Sequence, residues 1–148
     1  MTPLDETKAA QSAARAAMAE LAASVTSADT ERTIAQRAVE CLRAEGVYTT
    51  WYYDCPALVL LGSRSSASFS GRDYVPADEP VGECNLATAD LSPLLDGAAG
   101  DYARSLCVEG GRGATPTPVS AILLSSPERR SCATCWADGG RGVLSSRV

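Results

Sequence analysis

The sequence contains no histidine. That absence removes both the commonest metal ligand and the commonest general base at neutral pH. Lysine occurs once, as Lys8, and acidic side chains outnumber basic ones 18 to 13. A nucleic-acid binder would show a basic stripe, so no nucleic-acid partner is expected. No apolar run reaches the ~18 residues a membrane-spanning helix needs, and none is expected to enter a membrane. The opening residues Met1-Thr2-Pro3-Leu4-Asp5-Glu6 lack the basic and apolar segments of a secretory signal. A cytoplasmic location with reduced thiols is therefore the expectation.

What is present suits one domain with a modest core: 148 residues, 45% of them apolar. Charge divides unevenly. Residues 1–111 carry eight basic and sixteen acidic side chains, a net of −8, whereas 112–148 carry five Arg and two acidic residues, a net of +3. Thr2, Pro3 and Asp5 have the spacing of a capped helix start. The Ala-rich stretch to Ser24 favours helix, and Ala14, Met18, Leu21 and Val25 mark its buried stripe. A second helix is predicted from Thr30 to Ala44, with Ile34, Ala35, Ala38, Val39 and Leu42 inward and Gly46 as terminator. Val47–Tyr53 and Ala57–Leu61 read as strands, Gly62–Pro80 as a loop with one short strand, and Leu86–Leu91 and Ala99–Val108 as strands flanking a turn at Asp96-Gly97. The predicted class is α+β, two N-terminal helices followed by an antiparallel sheet.

The stretch Asp90–Arg104 carries the most chemistry. A four-residue hairpin loop over Leu94–Gly97 would pair Pro93 with Ala98 and set Asp90 directly opposite Asp101, with Cβ atoms ~5 Å apart. Two carboxylates that close repel unless they share a proton or a cation, and a metal pair is one remedy. A solvated acidic hairpin, or Asp101 paired with Arg104, is the plainer reading of the same pattern.

The Asp-x(10)-Asp spacing, seen in Asp90-Leu91-Ser92-Pro93 and Gly100-Asp101-Tyr102-Ala103-Arg104, resembles the first two metal ligands of the methionine aminopeptidase, Xaa-Pro peptidase and creatinase family. Upstream, Thr30-Glu31-Arg32-Thr33-Ile34-Ala35 resembles that family's Thr-Glu-x-x-Ile segment. Gly46-Val47, Trp51, Pro56 and Gly62 fall at its following strands and loop, and Val108-Glu109-Gly110-Gly111 resembles its exit from the aspartate hairpin. Over residues 5–111 the resemblance implies the N-terminal half of a pita-bread fold, with Asp90 and Asp101 as ligands of a divalent metal centre (Mn, Co, Zn or Fe). The family's centre has five protein ligands, and the His and two Glu of its second half have no counterpart here. Glu128, the only glutamate after residue 109, sits in no ligand motif. The segment Phe69-Ser70-Gly71-Arg72-Asp73-Tyr74 lacks the substrate-facing His the family places before its first ligand.

These departures imply a truncated or degenerate peptidase-type hydrolase that does not cleave peptides alone, with no catalytic residue assigned. The alternative is a non-catalytic interaction protein, pairing with a complementing half-domain, a full-length paralogue or another copy of itself. Residues 112–148 are expected to be a poorly ordered tail. Their prominent Arg, Ser, Gly, Cys and Trp fit an out-of-frame translation of a lost second half. Cys132-Ala133-Thr134-Cys135 has redox or half-zinc spacing but lacks the strand–helix context or the further ligands. Cys41, Cys55, Cys84 and Cys107 read as small hydrophobes. Ser92 has no activating base, and Gly110–Gly113 reads as a linker. Trp51, Tyr52 and Tyr53 read as core and pocket wall.

Overall fold

The computed structural model describes residues 2–110 and the backbone of 112–114. Helix α1 spans Pro3–Ser24. It starts on a reciprocal capping box: the Asp5 amide donates to Thr2 Oγ1 at 3.2 Å, and the Thr2 amide donates to Asp5 Oδ2 at 3.1 Å. Helix α2 spans Glu31–Ala44 behind a second box formed by Thr30 and Thr33. It ends in a Schellman motif, in which the Gly46 amide (φ 82°) donates to Arg43 O and the Val47 amide to Leu42 O.

Between the helices sits Asp29, 5% exposed. Arg37 donates to both of its oxygens, at 2.6 and 2.9 Å, and Thr33 and the Thr26 amide add further bonds. Burial alone would raise this carboxyl. The hydrogen bonds from Arg37, Thr26 and Thr33 outweigh it and hold the pKa at about 2.

The strands follow as β1 (Thr49–Thr50), β2 (Ala57–Leu61), β3 (Cys84–Leu91), β4 (Pro93–Leu95), β5 (Ala98–Ala99), β6 (Tyr102–Glu109) and β7 (Arg112–Ala114). They make two antiparallel sheets, ordered β1-β4-β5 and β2-β3-β6-β7. The α+β class and the order of helices before sheet are as predicted. Met18, Leu21, Val25, Ile34, Ala38 and Leu42 from the helices meet Ala57, Val59, Ala87, Ala89, Leu91, Leu106 and Val108 in one core. Alanine is a poor strand former, yet Ala87 and Ala89 are fully buried. Their small size suits a sheet covered closely by helices, so packing overrides propensity. The other face of the larger sheet carries Leu58, Thr88, Asp90 and Ala103, and is left to the site described below.

Three local predictions need correction. Only Thr49–Thr50 of the stretch Val47–Tyr53 is strand. Beyond it the chain turns through Tyr53 and Asp54, both with left-handed φ (46° and 56°), while Thr50 Oγ1 takes the Tyr52 amide. Gly62–Pro80 holds a 3-10 turn at Gly62–Ser66 and a single bridge from Pro80 to Thr30 instead of a short strand. The long strand read over Ala99–Val108 is broken at Gly100-Asp101, between β5 and β6.

Side chains secure the loop and the β2 edge. Glu31, fully buried, accepts from the Leu61 amide, the Arg64 guanidinium and the Ala77 amide, each at 2.9 Å. The sheet also continues past residue 111, where Arg112–Ala114 pairs with Cys107–Glu109. The rest of the expected tail, with Cys132 and Cys135, lies outside the described residues. Among the described residues no helix is long and apolar enough to cross a membrane.

Candidate metal centre

The aspartate hairpin turns on two residues, not four. Asp96 (φ 50°) and Gly97 (φ 84°) both lie in the left-handed region, the signature of a type I′ turn whose twist matches the flanking strands. Leu95 therefore pairs with Ala98 and Leu94 with Ala99. The same register continues into the larger sheet, where Asp90 lies opposite Ala103 and Leu91 opposite Tyr102. Asp90 is thus a diagonal, not a direct, neighbour of Asp101. Diagonal neighbours share a face at Cα separations of ~7–8 Å, which longer side chains or a shared ion can span.

The two carboxylates do meet one cavity. It measures about 420 Å³ and is lined by both aspartates together with Trp51, Tyr52, Leu58, Leu60, Phe69, Thr88 and Ser92. Asp90 reaches it from β3, half-buried, and its Oδ1 is buried with no hydrogen-bond partner among the described residues. Burial pushes the Asp90 carboxyl above its ordinary range, and the neighbouring Asp101 carboxylate pushes it the same way.

Asp101 sits at the gap between β5 and β6, and its backbone is fastened from α1. The Gln11 amide donates to Asp101 O at 2.7 Å and accepts from Asp101 N at 3.1 Å. One residue earlier, Gly100 N donates to Pro93 O and the Trp51 indole donates to Gly100 O at 2.6 Å. A side chain at Gly100 would meet Pro93 at 2.9 Å and the α1 backbone at Ala10 at 3.0 Å, so glycine is what lets the helix approach here.

The other residues singled out in the sequence take structural places. Ser92 is buried and donates to Cys55 O at 2.7 Å, so its hydroxyl is spent on the backbone. Trp51 and Tyr52 line the cavity, but Tyr53 is 54% exposed, with Arg72 stacked 4.7 Å from its ring, and none of the three joins the core. Cys55 is the one buried thiol among Cys41, Cys55, Cys84 and Cys107. Phe69 lines the cavity from the segment where a histidine was missed, and Arg64 packs 4.7 Å over its ring.

The donors partly fit a metal centre. A buried carboxylate oxygen without a partner, beside a second carboxylate in a cavity, is what a cation would satisfy. Among the described residues, however, no group of three or more His, Cys, Asp or Glu side chains is placed to share an ion. Sequence reading missed Gln11, Glu31 as a buried anchor, and Tyr74. A polar residue on an Ala-rich helix carries no mark of a backbone contact 90 positions away.

Two helices laid over antiparallel strands, with paired carboxylates on the opposite face, define half of a pita-bread fold. The particular family follows from the sequence: residues 5–125 match Metallopeptidase family M24, and the chain belongs to that family. Solved structures agree on the fold. The X-Pro aminopeptidase from Thermotoga maritima superposes with a TM-score of 0.63 at 19% identity, over 82% of this chain and 32% of that one. The prolidase from Pyrococcus furiosus gives 0.62 at 19% identity, over 82% and 34%. The Xaa-Pro dipeptidase from Bacillus anthracis gives 0.62 at 18% identity, over 82% and 32%. This chain thus spans about a third of the length of the structures it matches. No curated protein matches the sequence.

Proposed function

We propose that this stretch supplies the carboxylate half of a divalent-metal peptidase centre of the Xaa-Pro type, and that it does not hydrolyse peptides unless ligands from a complementary half are added. The observation that carries this reading is the buried, partnerless Oδ1 of Asp90 beside Asp101 in the same cavity. Asp90 and Asp101 would hold the metal. Divalent ions, when bound, supply Lewis acidity and an activated water.

The chain's own residues shape the cavity. Asp90 and Asp101 set a negative potential at one wall of the cavity. Tyr52, Phe69 and Leu58 give the cavity an apolar wall facing the carboxylates. Two carboxylates are a sparse donor set for a transition ion, so binding to this stretch alone is weak. A separate chain, a full-length paralogue and a second copy are the three candidates for the complementary half.

The interaction-protein reading has its own support. Tyr48, Trp51 and Tyr53 stand 77%, 44% and 54% exposed along one short segment at the β1 edge, an aromatic surface of the kind interfaces use.

The test is calorimetric titration with Mn²⁺ or Co²⁺, beside a peptidase assay on methionyl and Xaa-Pro substrates. Weak binding abolished by Asp90→Asn, with no turnover above a metal-only blank, is the expected result. Turnover that survives purification and disappears in Asp101→Asn would overturn the claim that this stretch is inactive alone. Sub-micromolar binding would show that further ligands had been overlooked.

A further inference from the structure

We infer that Gln11 is a positioning residue for the carboxylate pair: from α1 it replaces the missing strand ladder at Asp101 and so sets where that carboxylate stands relative to Asp90. The inference rests on the metal-centre reading above and extends it to a helix outside the aspartate hairpin.

The argument starts from the break in the sheet. β5 ends at Ala99 and β6 begins at Tyr102, so Gly100 and Asp101 belong to neither strand. A residue without ladder bonds is free to shift, yet this one carries half of the paired charge. Gln11 answers both of its backbone groups with one side-chain amide, donating to Asp101 O at 2.7 Å and accepting from Asp101 N at 3.1 Å. That is the two-bond pattern of a strand neighbour, supplied by a helix. It leaves the Asp101 side chain to the cavity it shares with Asp90. An amide suits the task, because it offers one donor and one acceptor side by side without adding a charge next to two carboxylates. Gly100 completes the arrangement. Its N–H is held by Pro93 O and its C=O by the Trp51 indole, and only glycine lets Ala10, one residue before Gln11, come this close. Residues that orient metal ligands without touching the metal typically change affinity 10- to 100-fold when lost.

The experiment compares the full chain with Gln11→Met, which keeps helix propensity and side-chain length but removes both bonds. Two readouts are taken: Mn²⁺ affinity by calorimetry, and hydrogen exchange of the Asp101 amide by NMR. Arg37→Ala, which breaks the remote Asp29 ion pair, controls for general destabilisation. The expected result is that Gln11→Met weakens Mn²⁺ binding about tenfold and speeds Asp101 amide exchange, while Arg37→Ala does neither at a temperature where it stays folded. Affinity within twofold of the parent, an unchanged Asp101 exchange rate, or equal weakening by Arg37→Ala would overturn the positioning role. A parent chain that takes up no Mn²⁺ removes the metal reading itself. The amide exchange then decides alone whether Gln11 fixes Asp101.

Discussion

The Tyr74 hydroxyl completes the hydrogen bonding of Val59, donating to its carbonyl at 2.8 Å and accepting from its amide at 3.1 Å. Among the described residues, β2 has β3 on one side and no strand on the other. An open edge invites pairing with another chain, and here a tyrosine and Glu31 occupy it. Tyr74→Phe should leave the Val59 N–H and C=O unmet and cost about 1–3 kcal/mol, read from urea denaturation. Burial, the largest cause, pushes the phenol up to about 12. The fold therefore favours the neutral form. This stabilisation is complete below the unfolded value of about 10, and is lost as pH rises from there through about 12. Tyr74→Phe should flatten that alkaline decline, and an unchanged profile would count against the assignment.

Glu31 is the second seal. Its buried carboxylate gathers the Leu61 amide, Arg64 and the Ala77 amide, tying α2 to β2 and to the loop that carries Phe69. Glu31→Ala should strand those donors and cost about 2–4 kcal/mol. Limited proteolysis should then cut first within residues 62–80. Preferential cutting elsewhere would show that the loop is held by other contacts.

Much of this architecture was legible in advance, and the reason is local. Both helix starts rest on polar residues three apart, and the α2 end rests on Gly46, so short-range chemistry sufficed. The aspartate hairpin was only half legible. Asp96-Gly97 was readable as the turn, but the pairing depends on how many residues the loop contains. A four-residue loop instead of two shifts the register and places Asp101 opposite the wrong partner. Because the shift is even, both aspartates still share a face, so the pairing of their charge survives the error. The Tyr74, Glu31 and Gln11 contacts span 15, 30 to 46, and 90 residues. No periodicity reports a contact at that range.

The Asp29–Arg37 pair should govern acid stability. With a folded pKa of about 2 against an ordinary 3.8, Asp29 binds its proton less readily in the fold. Its contribution is present above about 4 and disappears as pH falls toward 2. Arg37→Ala leaves a carboxylate that is 5% exposed without its cation, and should cost about 3 kcal/mol at neutral pH. It should also shrink the loss between pH 4 and 2, because Asp29 then titrates closer to its unfolded value. Denaturation midpoints for both chains across that range decide the matter. An equally steep acid loss in the variant would assign the effect to other carboxylates.

Asp90 has the opposite sign, and it separates stability from function. Its folded pKa is raised, first by burial and then by Asp101, so the fold prefers the protonated carboxyl. The stabilising state is complete below the unfolded value near 3.8 and is lost as pH rises through the folded one. Without metal, the ionised form of Asp90 is therefore a liability, since it sets a partly buried charge with an unsatisfied oxygen beside the Asp101 carboxylate. Asp90→Asn removes the charge and keeps the shape. In EDTA at pH 7 it should stabilise the chain by about 0.5–2 kcal/mol, the range of single repairs at strained functional positions. With Mn²⁺ present the order should narrow or reverse, because only the parent gains from the ion. Paired urea titrations with EDTA and with millimolar Mn²⁺ measure both effects. If Asn proves destabilising in EDTA, the Asp90 carboxylate has a partner that meets its charge without metal, and the case for a cation at this position fails.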